Sequence, residues 1–251
     1  MSNLFEELNR LDLGKRRDAL VIIPVGAIEQ HGPHLATGTD FMIVNEVTKA
    51  AVASLAKDID VIQIPTLPFG FSHHHLQFGA TISLRPETLQ LVLLDICKSL
   101  LESGFRNLFI LNGHGGNNEI ISIVAREFAI TNDLRVGASS YWVMAWDELV
   151  KVGAHESNRL PGHAGAFETS IMRYLRPNLV TEPLPERAGE FSSNPKSFYG
   201  AFMAEDPRNW TKIDGYSDSP GKAISADGER WFQASVNGVA RALREFMEGA
   251  R

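Results

Sequence analysis

Two hydrophobic rhythms alternate along the chain. Residues 19–25 form a nearly continuous apolar run, rich in β-branched side chains, that closes on Pro24-Val25-Gly26. That is the pattern of a strand buried on both faces. Beyond it Phe41, Val44, Val47, Ala51 and Leu55 recur at helical spacing, with Thr39 as the predicted N-cap. Residues 61–64 return to the strand rhythm and stop at Pro65. Pro86 and Glu87 open a helix with apolar positions Leu89, Leu93, Ile96 and Leu100, and Gly104 is its stop. A third strand is predicted over 107–111, a helix over 118–130 and a fourth strand over 135–141. Two later helices fit 164–175 and 227–246. Between them, residues 178–227 are rich in Pro, Gly, Ser and Asp and read as an extended surface segment. No internal repeat interrupts this order. Strand–helix alternation predicts an α/β fold: a single doubly wound domain spanning 1–251, with a mostly parallel sheet flanked by helices.

Composition narrows the picture. With 251 residues, 44% of them hydrophobic and 22% charged, the chain can close a core, which excludes a long disordered protein. A net charge of −6 argues against a nucleic-acid partner. The single cysteine, Cys97, excludes an internal disulfide and any thiolate metal cluster; on the stripe with Leu93 and Leu100 it is expected to pack as a small hydrophobe. No apolar run reaches the roughly 18 residues of a membrane span, and residues 1–18 lack the apolar stretch of a signal peptide. The expectation is a cytoplasmic protein without a membrane partner. Eight histidines then become the feature that carries chemistry.

In doubly wound sheets, ligands bind beyond the carboxyl ends of the strands. Three polar segments are candidates. The first runs from Gly26 to His34, continuing to Asp40; if it stays extended, Glu29 and His31 point the same way. The second is the glycine-flanked His114 after the third strand, and the third places His163 and Glu168 near a helix start. Glu29, His31, Asp40, His114 and Glu168 form a mixed oxygen and nitrogen set that suits Zn, Mn or Fe(II), and a bridging Asp would let it hold two ions. Taken singly these residues have plainer uses. Asn112-Gly113-His114-Gly115-Gly116-Asn117 could cradle a phosphate, and Asp40 could simply complement a helix dipole. His73-His74-His75 could line a pocket rim or sit in solvent. Trp142 and Trp146 follow the fourth strand, where core packing is the usual role, although an indole there can also floor a planar substrate. His75, Trp142 and Asn117 are the candidate substrate contacts.

The run Pro24-Val25-Gly26-Ala27-Ile28-Glu29-Gln30-His31-Gly32-Pro33-His34 with Gly38-Thr39-Asp40, the loop at residues 112–117, and His163-Ala164-Gly165 with Glu168-Thr169-Ser170 together resemble the creatininase (creatinine amidohydrolase) family. Weaker similarity continues through residues 215–228. The resemblance implies an α/β fold, a dinuclear metal centre at the sheet edge, a small-molecule substrate and a homo-oligomer, with hexamers in the family. By position, Glu29, Asp40 and His114 would hold one ion, and His31 and Asp40 the other, with Asp40 bridging. Creatininase takes a further Glu two residues after the glycine-loop His; Gly116 stands there, and Glu168 matches the Glu that replaces it in other members. His163 would shuttle a proton to the leaving nitrogen. The implied reaction is hydrolysis of a non-peptide C–N bond in a small cyclic or linear amide. Two departures turn away from creatinine itself: Gly162 replaces the Glu before the proton-shuttling His, and Phe78-Gly79-Ala80-Thr81 replaces Phe-Pro-Gly-Thr. The family also includes a formylamino-pyrimidine deformylase, a mycofactocin precursor peptidase and hydrolases of cyclic sugar-derived ketones.

Overall fold

The apolar run that follows a short helix α1 (Arg10–Gly14) is strand β1 (Leu20–Val25), buried at all six positions. In the computed structural model, which describes residues 2–156, 160–186 and 206–249, β1 is followed by α2 (Thr39–Leu55), β2 (Val61–Gln63), α3 (Pro86–Glu102) and β3 (Asn107–Asn112). Then come α4 (Asn118–Asn132), β4 (Arg135–Ser140), α5 (Tyr141–Met144), α6 (Trp146–Lys151) and α7 (Ala166–Leu175). Short α8 (Pro207–Lys212) and long α9 (Ser225–Glu248) complete the order.

All strands pair in parallel, in the order β2-β1-β3-β4. Side chains alternate across the sheet, so β1 feeds two cores. Leu20 and Ile22 pack with α2, α7 and α9, whereas Val21, Ile23 and Val25 pack with α3 and α4. This two-sided burial is why the strand reads as an unbroken apolar run. Pro24 fits within this central strand because the carbonyls of Ile22 and Pro24 face the β2 side, where β2 has already ended at Gln63. Cys97 lies buried in the α3 side of the core, as its stripe predicts.

Topology positions the site. The chain leaves β1 towards β2, then crosses back to β3, so β1 and β3 are neighbours with Val25 opposite Asn112. Their outgoing loops therefore emerge side by side at a switch point, where doubly wound sheets open a crevice. α9 in turn seats α7, which carries Glu168. Gly228 makes this possible, because a Cβ there would lie 1.9 Å from Ser170 O, and Trp231 stacks on Phe167 at 5.6 Å.

Several boundaries differ from the sequence expectation. Gly38, not Thr39, caps α2; Thr39 is the first helical residue, and its hydroxyl donates to Ala36 O. Tyr141 opens α5 rather than ending β4, and α7 begins at Ala166 because Ala164 takes φ +49°. The segment expected on the surface over 178–227 is partly interior: Ile213, Tyr216, Ser217, Pro220 and Ala223 are buried. Ser217 turns inward to bind His163, whereas Arg208, Asn209, Thr211, Lys212 and Asp214 stay exposed, and residues 187–205 of that segment lie outside the described residues. Among the described residues no helix is long and apolar enough to cross a membrane.

Candidate active site

The residues singled out by sequence converge from four places in the chain. Glu29 and His31 lie in the extended loop after β1, held by Glu29 N to Thr37 O and by Ile82 N to Ile28 O. Asp40 sits in the first turn of α2, His114 lies two residues past β3, and Glu168 lies in the first turn of α7. All five are buried.

Asp40 divides its carboxylate between two histidines. Oδ1 lies 3.2 Å from His31 Nε2, and Oδ2 lies 2.9 Å from His114 Nδ1. His114 Nδ1 is also 3.3 Å from Glu29 Oε1, and His31 Nε2 is 3.6 Å from Glu168 Oε2. The far nitrogens of both rings have other partners. His114 Nε2 donates to Phe71 O at 2.9 Å, and His31 Nδ1 lies 3.2 Å from Glu29 O. Those contacts favour the tautomers whose lone pairs face the carboxylates, the arrangement that metal-binding imidazoles adopt.

Electrostatics identifies what the cluster requires. Both oxygens of Glu29, Asp40 Oδ2, His31 Nε2 and His75 Nε2 are buried without a hydrogen-bond partner. Buried carboxylates without compensation are expensive, so this cluster must gain positive charge. Burial opposes charge on His31, yet Asp40, Glu168 and Glu29 push it up to about 10, and His114 is likewise driven well above its usual range. Burial would raise Glu29, but His114, His163 and His75 hold its carboxyl well below the usual range. Burial, with Asp40 and Glu29 close by, pushes Glu168 up to about 8 against the pull of His31. Bound cations would meet the same demand without protons. His31, Asp40 and Glu168 present ligand atoms within 4.8 Å of one another; Glu29, His74 and His114 do the same, as do Glu29, His31 and His163. The donor chemistry and the orphaned atoms therefore fit divalent metal ions.

His163 stands against this cluster, with Nδ1 3.3 Å from Glu29 Oε1 and Nε2 3.0 Å from Gln30 O. Burial, reinforced by His75 and His31, keeps it well below its usual pKa, hence neutral. His75 is buried with Nε2 3.7 Å from Glu29 Oε1, and burial pushes it down to about 3. In the triple-His tract, which forms a 3-10 turn, His73 is exposed, His74 half-buried and His75 buried, so the three residues have different surroundings.

Two candidate substrate contacts are not brought to the cluster. Asn117 is fully buried and its side chain is spent on neighbouring loops: its amide donates to Gly26 O and Asn112 Oδ1, and its oxygen accepts from Phe71 N. It pins three loops together. Trp142 lies in the core beside Tyr141, ring centroids 5.0 Å apart. The glycine loop is also poorly prepared to cradle an anion, since His114 N already donates to Asn112 Oδ1.

Other residues had no assigned role in the sequence. The Gln30 amide reaches His75 Nδ1 at 2.9 Å, His163 Nε2 at 3.0 Å and Gly215 O at 2.8 Å, tying both histidines to the late segment. Ser217 clasps His163 twice, its hydroxyl accepting from His163 N and its N–H donating to His163 O. Trp210 of α8 packs edge-on against His75 and His163 at 4.5 and 5.3 Å. The weak similarity over 215–228 was the available signal for Ser217; Trp210 had none.

Comparison with known proteins agrees with this geometry. A profile of the creatinine amidohydrolase family matches residues 6–243. Creatinine amidohydrolase of Pseudomonas putida is 31% identical over 244 residues, covering 91% of this chain and 90% of the relative. The mycofactocin precursor peptide peptidase of Mycolicibacterium smegmatis is 29% identical over 238 residues, covering 90% and 85%. The solved structure described as "Creatininase Mn" superposes with a TM-score of 0.80 at 28% identity, covering 98% of both chains. With its doubly wound sheet, its convergent acid–histidine cluster and a family match over nearly its whole length, the chain belongs to the creatininase family.

Proposed function

We propose that this chain, acting as one domain over 1–251, is a metal-dependent amidohydrolase that cleaves a C–N bond in a small cyclic or linear amide. Glu29, Asp40 and His114 would hold one divalent ion, and His31, Asp40 and Glu168 a second, with Zn, Mn and Fe(II) all compatible with the donors. The observation that carries this reading is Asp40, whose two oxygens each face a different histidine. When bound, such a pair of ions supplies an acidified water and polarises the substrate carbonyl.

The chain's own residues divide the remaining work. Neutral His163 can accept a proton and return it to the departing nitrogen; Gln30 holds its ring, and Ser217 holds its backbone on both sides. His75 and Trp210 wall the same side and exclude water. The reading also includes a homo-oligomer, as the family resemblance implies.

Purified protein is expected to carry close to two divalent ions per chain. Ion-loaded protein screened against cyclic ureides, lactams, formamides, short peptides and cyclic diketones is expected to hydrolyse an amide. Short peptides belong in the screen because a peptidase relative is nearly as similar as the creatinine amidohydrolase. Absence of bound metal would overturn the reading, and turnover of diketones alone would move it to C–C cleavage.

Glu168→Gln separates the two sites. The neutral amide keeps the shape but removes the charge that attracts a cation, so occupancy of the second ion should fall while the first stays filled. Metal analysis of the variant checks this; unchanged occupancy would return Glu168 to capping Ala164 N, which its Oε2 accepts at 2.6 Å.

A further inference from the structure

Building on the two-ion reading, we propose that His74 is a fourth protein ligand of the ion at Glu29, Asp40 and His114. The ion at His31, Asp40 and Glu168, with three protein ligands, is then the more open and exchangeable of the pair.

Three observations support this. His74 offers a ring nitrogen within 4.8 Å of the ligand atoms of both Glu29 and His114. Its ring lies parallel to that of His114, at 1° and 5.8 Å between centroids, with Trp210 on another side at 5.7 Å. Among the described residues neither nitrogen of this half-buried ring has a hydrogen bond, whereas both nitrogens of His163 are near partners.

Gly116 explains how the ring fits. A Cβ at that position would lie 2.2 Å from Phe71 O, 2.6 Å from His114 Nε2 and 3.1 Å from His74 Cε1. Phe71 O and His114 Nε2 leave no room for a side chain at 116, and His74 lies close beside that bare stretch of loop. Four protein ligands around an ion make a closed site, and three leave a position open for water or substrate. Asymmetry follows: substrate exchange belongs at the His31 side.

Zinc binding measured by competition with a chromogenic chelator tests the assignment in the full-length protein. Wild type is expected to hold one ion more tightly than the other. His74→Ala should weaken the tighter ion by at least about tenfold and leave the weaker one unchanged. A crystal structure of zinc-loaded wild type gives a measure independent of the variant's folding, with a His74 nitrogen expected about 2.0–2.1 Å from the ion shared with Glu29 and His114. Both constants unchanged in His74→Ala, or His74 turned away from an ion that Glu29, Asp40 and His114 hold, would overturn the proposal while the two-ion reading stands. A wild type that binds no zinc would overturn both.

Discussion

Asp40→Ala is expected to release at least one ion and to lower turnover by about 10³-fold or more. The carboxylate faces both His31 and His114, so its removal deprives each half of the centre of an anionic ligand. Loss of metal-assisted charge stabilisation is worth several kcal/mol, and about 4 kcal/mol corresponds to roughly 10³ in rate. His31→Ala removes a ligand from one half only and should leave the other ion in place. The comparison is made by metal analysis of both variants alongside their rates. Full retention of both ions in Asp40→Ala would show that the carboxylate serves only the first turn of α2.

His163→Ala should give the opposite combination, with both ions retained and chemistry impaired. A positioned acid–base group typically contributes roughly 10²–10⁴-fold, and the loss should fall mainly on kcat because the proton moves in the transition state. Substrates with good leaving groups need less protonation as the bond breaks and should suffer less. His163 lies within 4.8 Å of ligand atoms on Glu29 and His31, so loss of an ion would make it a ligand instead. A rate barely altered for both kinds of substrate would shift the proton to another group. His75 is then the first candidate, since its Nε2 faces Glu29 without a hydrogen-bond partner.

Much of the layout was legible in one dimension. A strand buried on both faces is apolar along its length, so the runs at 19–25 and within the predicted strand 107–111 announce a parallel sheet. Pro86 at the start of α3 and the apolar stripe Leu89, Leu93, Leu100 locate a helix with equal directness. Chemistry-bearing residues just past such strands can be assigned to the sheet's carboxyl edge before any coordinates are known. Glu29, His31, Asp40, His114 and Glu168 were all found in this way or by the motif that contains them.

The sequence by itself thus determined the sheet, the edge that carries the site and the five residues that meet there. Burial periodicity is a local property, set by which face of each element meets the core. Only the tertiary structure decided how Asp40 divides its oxygens, that Asn117 hydrogen-bonds between loops and that Trp142 packs beside Tyr141. The same holds for the links that bring Gln30, Ser217 and Trp210 against His163. These contacts join segments up to 185 residues apart, as from Gln30 to Gly215. No local rhythm encodes such a pairing; it is fixed when the strand order places the β1 and β3 loops together and α9 presses α7 into position beside them.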